Sequence, residues 1–358
     1  MLWSAPVGVR FGVARKGSGE ETMFCIRPFA RIIAGWALMG ALAACAAAQE
    51  CSQAGEIEQS TRAAIDSAAV RFIQLASRGD VQSLRQESIP SLASSFDEIQ
   101  QTVTSEKGEI GDQVSIRRDY LLDASKAPSR IASAEFFCGV YGAGGHTPSS
   151  ASFVIPNLDP GLYALVLTNV AGGKTPHMAT VILQKLQNQW KLAGYYPKPT
   201  EVNGHDAAWY VQQARNFKNN GRPYDAWFYY MVGWNIYAPV EFMSSLQLDK
   251  LSNEIQSARP ADIPGNQPVQ MIAANGHSYE VTQLFATADQ MEGLSLVARY
   301  RVADLSDTAR AFQDNVALIK ALVAKYPELR EAFTGIVARA TAANGQDYGT
   351  LLAMKDIH

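Results

Sequence analysis

Between Glu135 and Tyr196 the chain reads as a run of short strands: Glu135–Tyr141, Ala151–Ile155, Leu162–Val170, His177–Leu186 and Trp190–Tyr196, all rich in Val, Ile, Phe and Tyr. Turn signals separate them at Gly142-Ala143-Gly144-Gly145, Pro156-Asn157, Asp159-Pro160-Gly161, Gly172-Gly173 and Gln187-Asn188-Gln189. Strands joined by such short links pair with their sequence neighbours, so the stretch predicts an antiparallel meander. What precedes it has the other period. Ile57, Ala63, Ile65, Ala68, Val70, Phe72, Ile73 and Leu75 recur at helical spacing from Glu56 to about Arg78. Gly79-Asp80 then ends that helix and opens a second through Val81, Leu84 and Arg85, and a third is expected from Leu92 to about Thr104. Helices first and strands afterwards is an α+β order.

A helical start followed by a curved meander is also the order of the cystatin-like cone folds. The closing segment Gln189-Trp190-Lys191-Leu192-Ala193-Gly194-Tyr195-Tyr196 resembles the last strand of nuclear-transport-factor-2-like, or SnoaL-like, domains. In that family a G-x-W-x-I strand follows a turn and closes the cone. The resemblance covers residues 56–197 and implies a cone over a domain of residues 49–200. The family includes isomerases and dehydratases, and also domains that only bind or pack. Its catalytic members place an Asp and a His or Tyr in the cone, and no residues of this chain align with them.

Residues 203–258 change character. His205-Asp206-Ala207-Ala208-Trp209 opens a helix to Asn219, Asn220-Gly221-Arg222-Pro223 breaks it, and Tyr224–Tyr237 forms a second that Pro239 stops. The pair resembles a single tetratricopeptide repeat. Ala214, Phe217, Gly221, Ala226 and Tyr230 fall where the repeat has its Gly, Tyr, Gly, Ala and Phe, with Gly233 as a further small residue. No second copy follows, and one helical hairpin cannot bury its own apolar face, so it must lean on a neighbour. Leu246–Ala258 offers a third helix. A Pro/Gly-rich linker over residues 259–268 leads to residues 269–358, where strands (Val269–Ala273, Ser278–Thr287, Leu294–Val302), a helix from Asp304 to Tyr326 and a hairpin around Asn344-Gly345 predict a small α+β domain.

The N-terminus gives an address. Arg27 and Arg31 precede an uncharged apolar run from Ile32 to Ala48, the pattern of a secretory leader. Met23 stands just before this segment, so residues 1–22 read as an over-extended start. Two processing readings compete. Ala46-Ala47-Ala48 is an A-x-A site releasing Gln49, whereas Leu42-Ala43-Ala44-Cys45 resembles a lipobox that would make Cys45 a lipidated N-terminus. Both put the mature chain in the periplasm or on the cell envelope, with a lipid anchor as the sole expected membrane attachment. Residues 1–48 carry five of the 31 basic and two of the 34 acidic residues, which leaves 26 against 32. An acidic exported chain has no electrostatic reason to seek nucleic acid. Of the four cysteines, Cys25 lies in the leader and Cys45 at its end, so Cys51 and Cys138 are the expected disulfide in an oxidising compartment.

Motifs for chemistry are sparse. Gly172-Gly173-Lys174-Thr175 lacks the earlier Gly of a phosphate loop and runs into Pro176, so it reads as a hairpin turn. His146, His177, His205, His277 and His358 have no ligand at metal-motif spacing, and there is no G-x-S-x-G elbow. No catalytic, cofactor or metal residue is assigned. The feature above background is aromatic density from Trp209 to Tyr237; these rings either pack against both the meander and a following helix or offer a binding surface, for which Trp209, Trp227, Tyr230 and Trp234 are the candidates. The sequence favours an exported, non-catalytic binding or assembly module for an envelope protein or small ligand. A small-molecule enzyme using the cone is the alternative, and no oligomeric state follows.

Overall fold

The computed structural model describes residues 49–264, 270–289 and 293–358. These described residues form one compact unit. Both processing sites and Cys45 lie outside the described residues.

β1 (Glu50–Gln53) leads into α1 (Gln59–Ser77). Glu58 caps that helix, its carboxylate accepting the backbone N–H groups of Ser60 and Thr61 at 3.0 Å each. Ile65, Ala69, Phe72, Ile73 and Ala76 form its buried stripe. Gly79, in the left-handed region at φ 72°, ends the helix, and Asp80 at once caps α2 (Val81–Gln86). The single helix expected over Leu92–Thr104 is two, α3 (Pro90–Ser94) and α4 (Asp97–Glu106). The chain breaks at Ser95, whose φ of −128° and ψ of 52° lie outside the helical region, and the next residue, Phe96, is buried at 1% exposed.

The strands that follow are β2 (Gln113–Asp123), β3 (Ile131–Cys138), β4 (Tyr141–Gly142), β5 (Gly145–His146), β6 (Ala151–Leu158), β7 (Leu162–Ala171), β8 (His177–Leu186) and β9 (Gln189–Pro199). β1-β2-β7-β8-β9 make a five-stranded antiparallel sheet. β8 and β9 are joined by Gln187 and Asn188 alone, at φ 47° and 68°, the paired positive values of a type I′ turn. Next come β10 (Glu201–Val202), β11 (His205–Asp206), α5 (Ala207–Asn219), α6 (Pro223–Tyr237), β12 (Met243–Ser245) and α7 (Leu246–Ala258). One face of the five-stranded sheet, through Val166, Val181, Leu183 and Leu192, packs on α1, α2 and Phe96. The other, through Tyr120, Leu122, Leu165 and Leu167, packs on Phe136, Cys138 and Phe153 of a three-stranded sheet ordered β12-β6-β3. A disulfide joins Cys51 of β1 to Cys138 of β3, with Cα atoms 5.0 Å apart across a separation of 87 residues.

The last part comprises β13 (Gln270–Ala274), β14 (His277–Ala288), β15 (Leu294–Val302), α8 (Thr308–Lys325), α9 (Leu329–Ala332), β16 (Gly335–Ala342) and β17 (Asp347–Ala353). Its sheet runs in sequence order, and β15–β16 is the parallel pair, as the α8 crossover between them requires. Alternate residues of that sheet (Leu294, Leu296, Ala298, Tyr300, then Ile336, Ala338, Ala340) share one core with Tyr210 and Ala214 of α5, Phe228 and Tyr230 of α6, Leu251 and Ile255 of α7, and Leu318 and Leu322 of α8. The helical hairpin therefore leans on the C-terminal sheet, and residues 203–258 and 269–358 close one core rather than two. At Gly233 a Cβ would stand 2.9 Å from Val211 Cγ2, so α5 and α6 approach as closely as they do because that position has no side chain.

Candidate functional site

A small aromatic cleft opens where α5 begins. The Asn203-Gly204 turn, at φ 51° and 74°, reverses the chain from β10 to β11. Asp206 then caps α5, its Oδ1 accepting the Trp209 N–H at 2.9 Å. Capping fixes the first helical turn and lays Trp209 against His205, four residues earlier, with ring centroids 3.7 Å apart and planes within 5°. Behind this pair, Tyr210 donates its hydroxyl to the Val202 carbonyl and Tyr229 to the Ala332 carbonyl, both at 3.0 Å. Their polar ends are satisfied, which leaves ring surface toward the cleft. Phe333, Thr334, Gly293 and Glu331 complete a lining around about 270 Å³.

Polar groups rim the cleft. Asn203 donates to the Gly293 carbonyl at 2.6 Å, and the exposed Glu331 carboxylate pairs with Arg222 at 2.7 Å. Burial pushes the Tyr210 and Tyr229 hydroxyls up to about 12, so both stay neutral donors near neutral pH. One helical turn from Tyr229, Asp225 is fully buried, and neither of its carboxyl oxygens has a hydrogen-bond partner. Burial pushes this carboxyl up to about 7, Arg222 opposes, and Glu328 and Glu331 add to the rise. Arg222 Nε lies 3.4 Å from Asp225 Oδ2, but its terminal nitrogen is committed to Glu331. The cleft thus combines stacked rings, a few convergent polar groups and a buried carboxyl behind them, the make-up of a small-ligand site.

The aromatic surface expected from Trp209, Trp227, Tyr230 and Trp234 needs correction. Trp209 lines the cleft, but Trp227 and Tyr230 are 6% and 1% exposed and belong to the core, against which Trp234 also packs. α6 is apolar on every side because α5, α7, α9 and the C-terminal sheet all surround it. His205, Tyr229 and Phe333 were not legible as site residues; the one local signal was the four-residue spacing of His205 and Trp209.

Other polar clusters lie in the first 200 residues. On the helix-covered face of the five-stranded sheet, Asp119 of β2 is fully buried and accepts from Arg62 Nε at 2.8 Å. Burial, then the Asp119 charge beside it, push the Asp66 carboxyl up. His146 is held in its loop by Ser150 Oγ at 3.1 Å and Ser152 Oγ at 3.2 Å, with Asp249 at 3.8 Å. His177, 2% exposed, sets one ring nitrogen 3.1 Å from Glu106 and the other 2.8 Å from the Thr175 carbonyl. Gly172-Gly173-Lys174-Thr175 links β7 to β8 as a turn, with Lys174 paired to Glu109 at 2.6 Å. Among the described residues no three His, Cys, Asp or Glu side chains group as metal ligands. No protein-family model, curated protein or solved structure matches the chain.

Proposed function

We propose that the chain is an exported, non-catalytic binding or assembly module of the bacterial periplasm or cell surface, and that its ligand is held in the cleft at His205, Trp209, Tyr210, Tyr229 and Phe333. Residues 49–200 act in this reading as a cystatin-like cone used for packing, and α5–α6 as a tetratricopeptide-like hairpin that carries the cleft. The single observation that supports it most is the His205–Trp209 stack, a rigid flat surface beside a rim of amide, hydroxyl and carboxylate. Apolar side chains fill both faces of the five-stranded sheet, which favours packing over a hollow cone. A space of about 270 Å³ suits one ring-sized unit, and a flat ring bounded by hydroxyl partners fits a sugar.

The test is titration of the envelope-purified protein with chitohexaose and maltoheptaose, followed by tryptophan emission. One of them should shift the emission, and Trp209→Ala should weaken that binding about 30-fold or more in protein that still unfolds cooperatively, the scale of an aromatic anchor. Binding unaffected by Trp209→Ala, or none by either sugar, would refute the assignment.

A second reading, a small-molecule enzyme working in the cone, draws on Asp66, Asp119 and Arg62. Two neighbouring carboxyls, one of them raised, are the kind of pair that divides acid and base roles. The readings part at Asp119→Asn. It would abolish turnover and spare sugar binding in an enzyme of this kind, and it leaves function intact if the pair only packs.

A further inference from the structure

We propose that two copies of the chain pair through β17 about a two-fold axis, so that the C-terminal sheet continues from one molecule into the other. β17 is the last strand of that sheet, paired with β16 on one side and with no strand among the described residues on the other. The Ala342 N–H donates to the Gln346 carbonyl at 2.9 Å, and this sets the alternation that follows. Tyr348, Thr350 and Leu352 turn their backbone groups toward β16. Asp347, Gly349, Leu351 and Ala353 turn theirs outward, where none finds a hydrogen bond among the described residues. Natural sheets blunt such edges with Lys, Pro, a bulge or a covering segment. The edge strand β9 is treated in this way: it carries Lys191, Pro197, Lys198 and Pro199, and Leu192 exchanges backbone bonds with Glu87 and Ile89. β17 reads Asp-Tyr-Gly-Thr-Leu-Leu-Ala, has no Lys, Arg or Pro, and keeps an unbroken register with β16 over its seven residues.

The strand is also its own complement. When it is set antiparallel to a second β17 with Thr350 on the axis, Asp347 faces Ala353 and Gly349 faces Leu351, and symmetry repeats both contacts in reverse. Every outward residue of each copy then exchanges backbone bonds, and no other antiparallel register uses all of them. Gly349 points to a second copy rather than to an unrelated strand. A glycine inside a strand weakens it and often marks the close approach of another backbone. The single chain has no need of one there. The φ of Gly349 is outside the left-handed region, and an added Cβ would meet nothing nearer than Arg339 Cγ at 3.9 Å and Val337 Cγ1 at 4.0 Å. In the dimer the second copy's Leu351, 50% exposed in the single chain, lies beside that glycine on the same face of the sheet. The one charged residue of the strand, Asp347, is paired with Arg339 of its own chain and faces an alanine, so no like charges meet.

The experiment is sedimentation equilibrium of the full-length gene product as cells process it, from about 1 to 300 µM, a range suited to a strand pair of this small size. Wild type should move toward twice the monomer mass as concentration rises. Leu351→Lys, at an exposed position, should raise the dissociation constant about tenfold or more in protein that still unfolds cooperatively, since an edge Lys is a common block to such pairing. A second measurement reads the register. Gly349→Cys and Leu351→Cys, mixed and oxidised, should give a covalent dimer through the facing pair. Neither variant alone should cross-link beyond wild type, because like positions stand too far apart for a disulfide. Wild type that stays monomeric over the whole range, a Leu351→Lys dimer as tight as wild type, or a mixture that cross-links no better than either variant alone would overturn the proposal.

Discussion

Asp225→Asn should gain stability relative to the wild type as pH rises from 5 to 8. In the native state the Asp225 carboxyl lies near 7, against an ordinary value of 3.8. A carboxyl raised on folding binds its proton more tightly in the folded state than in the unfolded. Stability from this group therefore falls as pH rises between the two values, and the penalty is complete above 7. At about 1.4 kcal/mol per unit, moving from pH 5 to pH 8 costs the wild type about 2–3 kcal/mol through Asp225 alone. An amide of the same shape does not titrate. Its unpaired N–H groups carry a constant cost of about 1–3 kcal/mol, so the diagnostic is the change in the difference between the proteins, not its size at one pH. Urea unfolding followed by the emission of Trp227 and Trp234, which pack in the same core, reads the transition of this region. The wild-type and variant midpoints should separate progressively between pH 5 and pH 8, in favour of Asn. Parallel curves would refute the argument. Such a constant offset from pH 5 to pH 8 would show instead that Arg222, 3.4 Å away, keeps Asp225 ionised throughout.

The remaining predictions address other links of the structure. Burial alone would lower His177, but Glu106 and the Thr175 carbonyl together hold it above its ordinary value, so its contribution is full below about pH 6.5 and is lost as pH rises through the folded value. His177→Gln should therefore cost more stability at pH 5 than at pH 8 in paired melts; an equal cost at both would mean a neutral imidazole. Cys51→Ala/Cys138→Ala should lower stability by roughly 4–5 kcal/mol, the chain-entropy value for a loop of this length, in denaturant unfolding without reductant. A midpoint equal to that of oxidised wild type would show that the bridge carries no stability. Gly233→Val should drive a side chain into Val211 and cost about 1–3 kcal/mol, and Ala226→Leu, at a fully buried position, should do the same. Unchanged melting of both would place the α5–α6 contact elsewhere.

Local pattern carried most of the elements. Wherever hydrophobic period and turn residues agreed, as in β6 to β9 and α5 to α8, the strands and helices stand within a few residues of their expected places. β2 was missed for a physical reason. Its register shifts between Ile116 and Arg118, and Arg117, Arg118 and the inward-facing Asp119 spoil the alternation that marks a half-buried strand. The bulge turns Asp119 toward Arg62, so the irregularity that hides the strand also creates its buried ion pair. The cleft was less legible still. Trp209 and His205 are neighbours by helical geometry, but Phe333 and Thr334 reach the same place from more than 120 residues away, through a parallel pairing set by the α8 crossover. Aromatic density is equally high in a core and at a surface. Trp227 of α6 is enclosed by α5, α7 and the C-terminal sheet, whereas Trp209 of α5 packs on the same core by one side and stays half-exposed.

That packing also bears on where a ligand surface can arise. The five-stranded sheet is covered on both faces, so residues 49–200 present helix backs, the outer face of β3–β6, strand edges and loop tips. One of those edges is used within the chain. β12, between α6 and α7, returns to pair with β6 through Met243–Phe153, Ser244–Ser152 and Ser245–Ala151. The Val154 N–H reaches the Phe242 carbonyl at 2.9 Å, and Lys198 donates to the Ala238 carbonyl at 3.1 Å. A strand shared in this way ties the helical hairpin to the sheet by backbone hydrogen bonds, which hold their geometry more firmly than exposed side-chain pairs. The β3–β6 hairpin and the aromatic cleft at the start of α5 are thus carried on one continuous frame, and a hinge between the two would have to break β12 from β6.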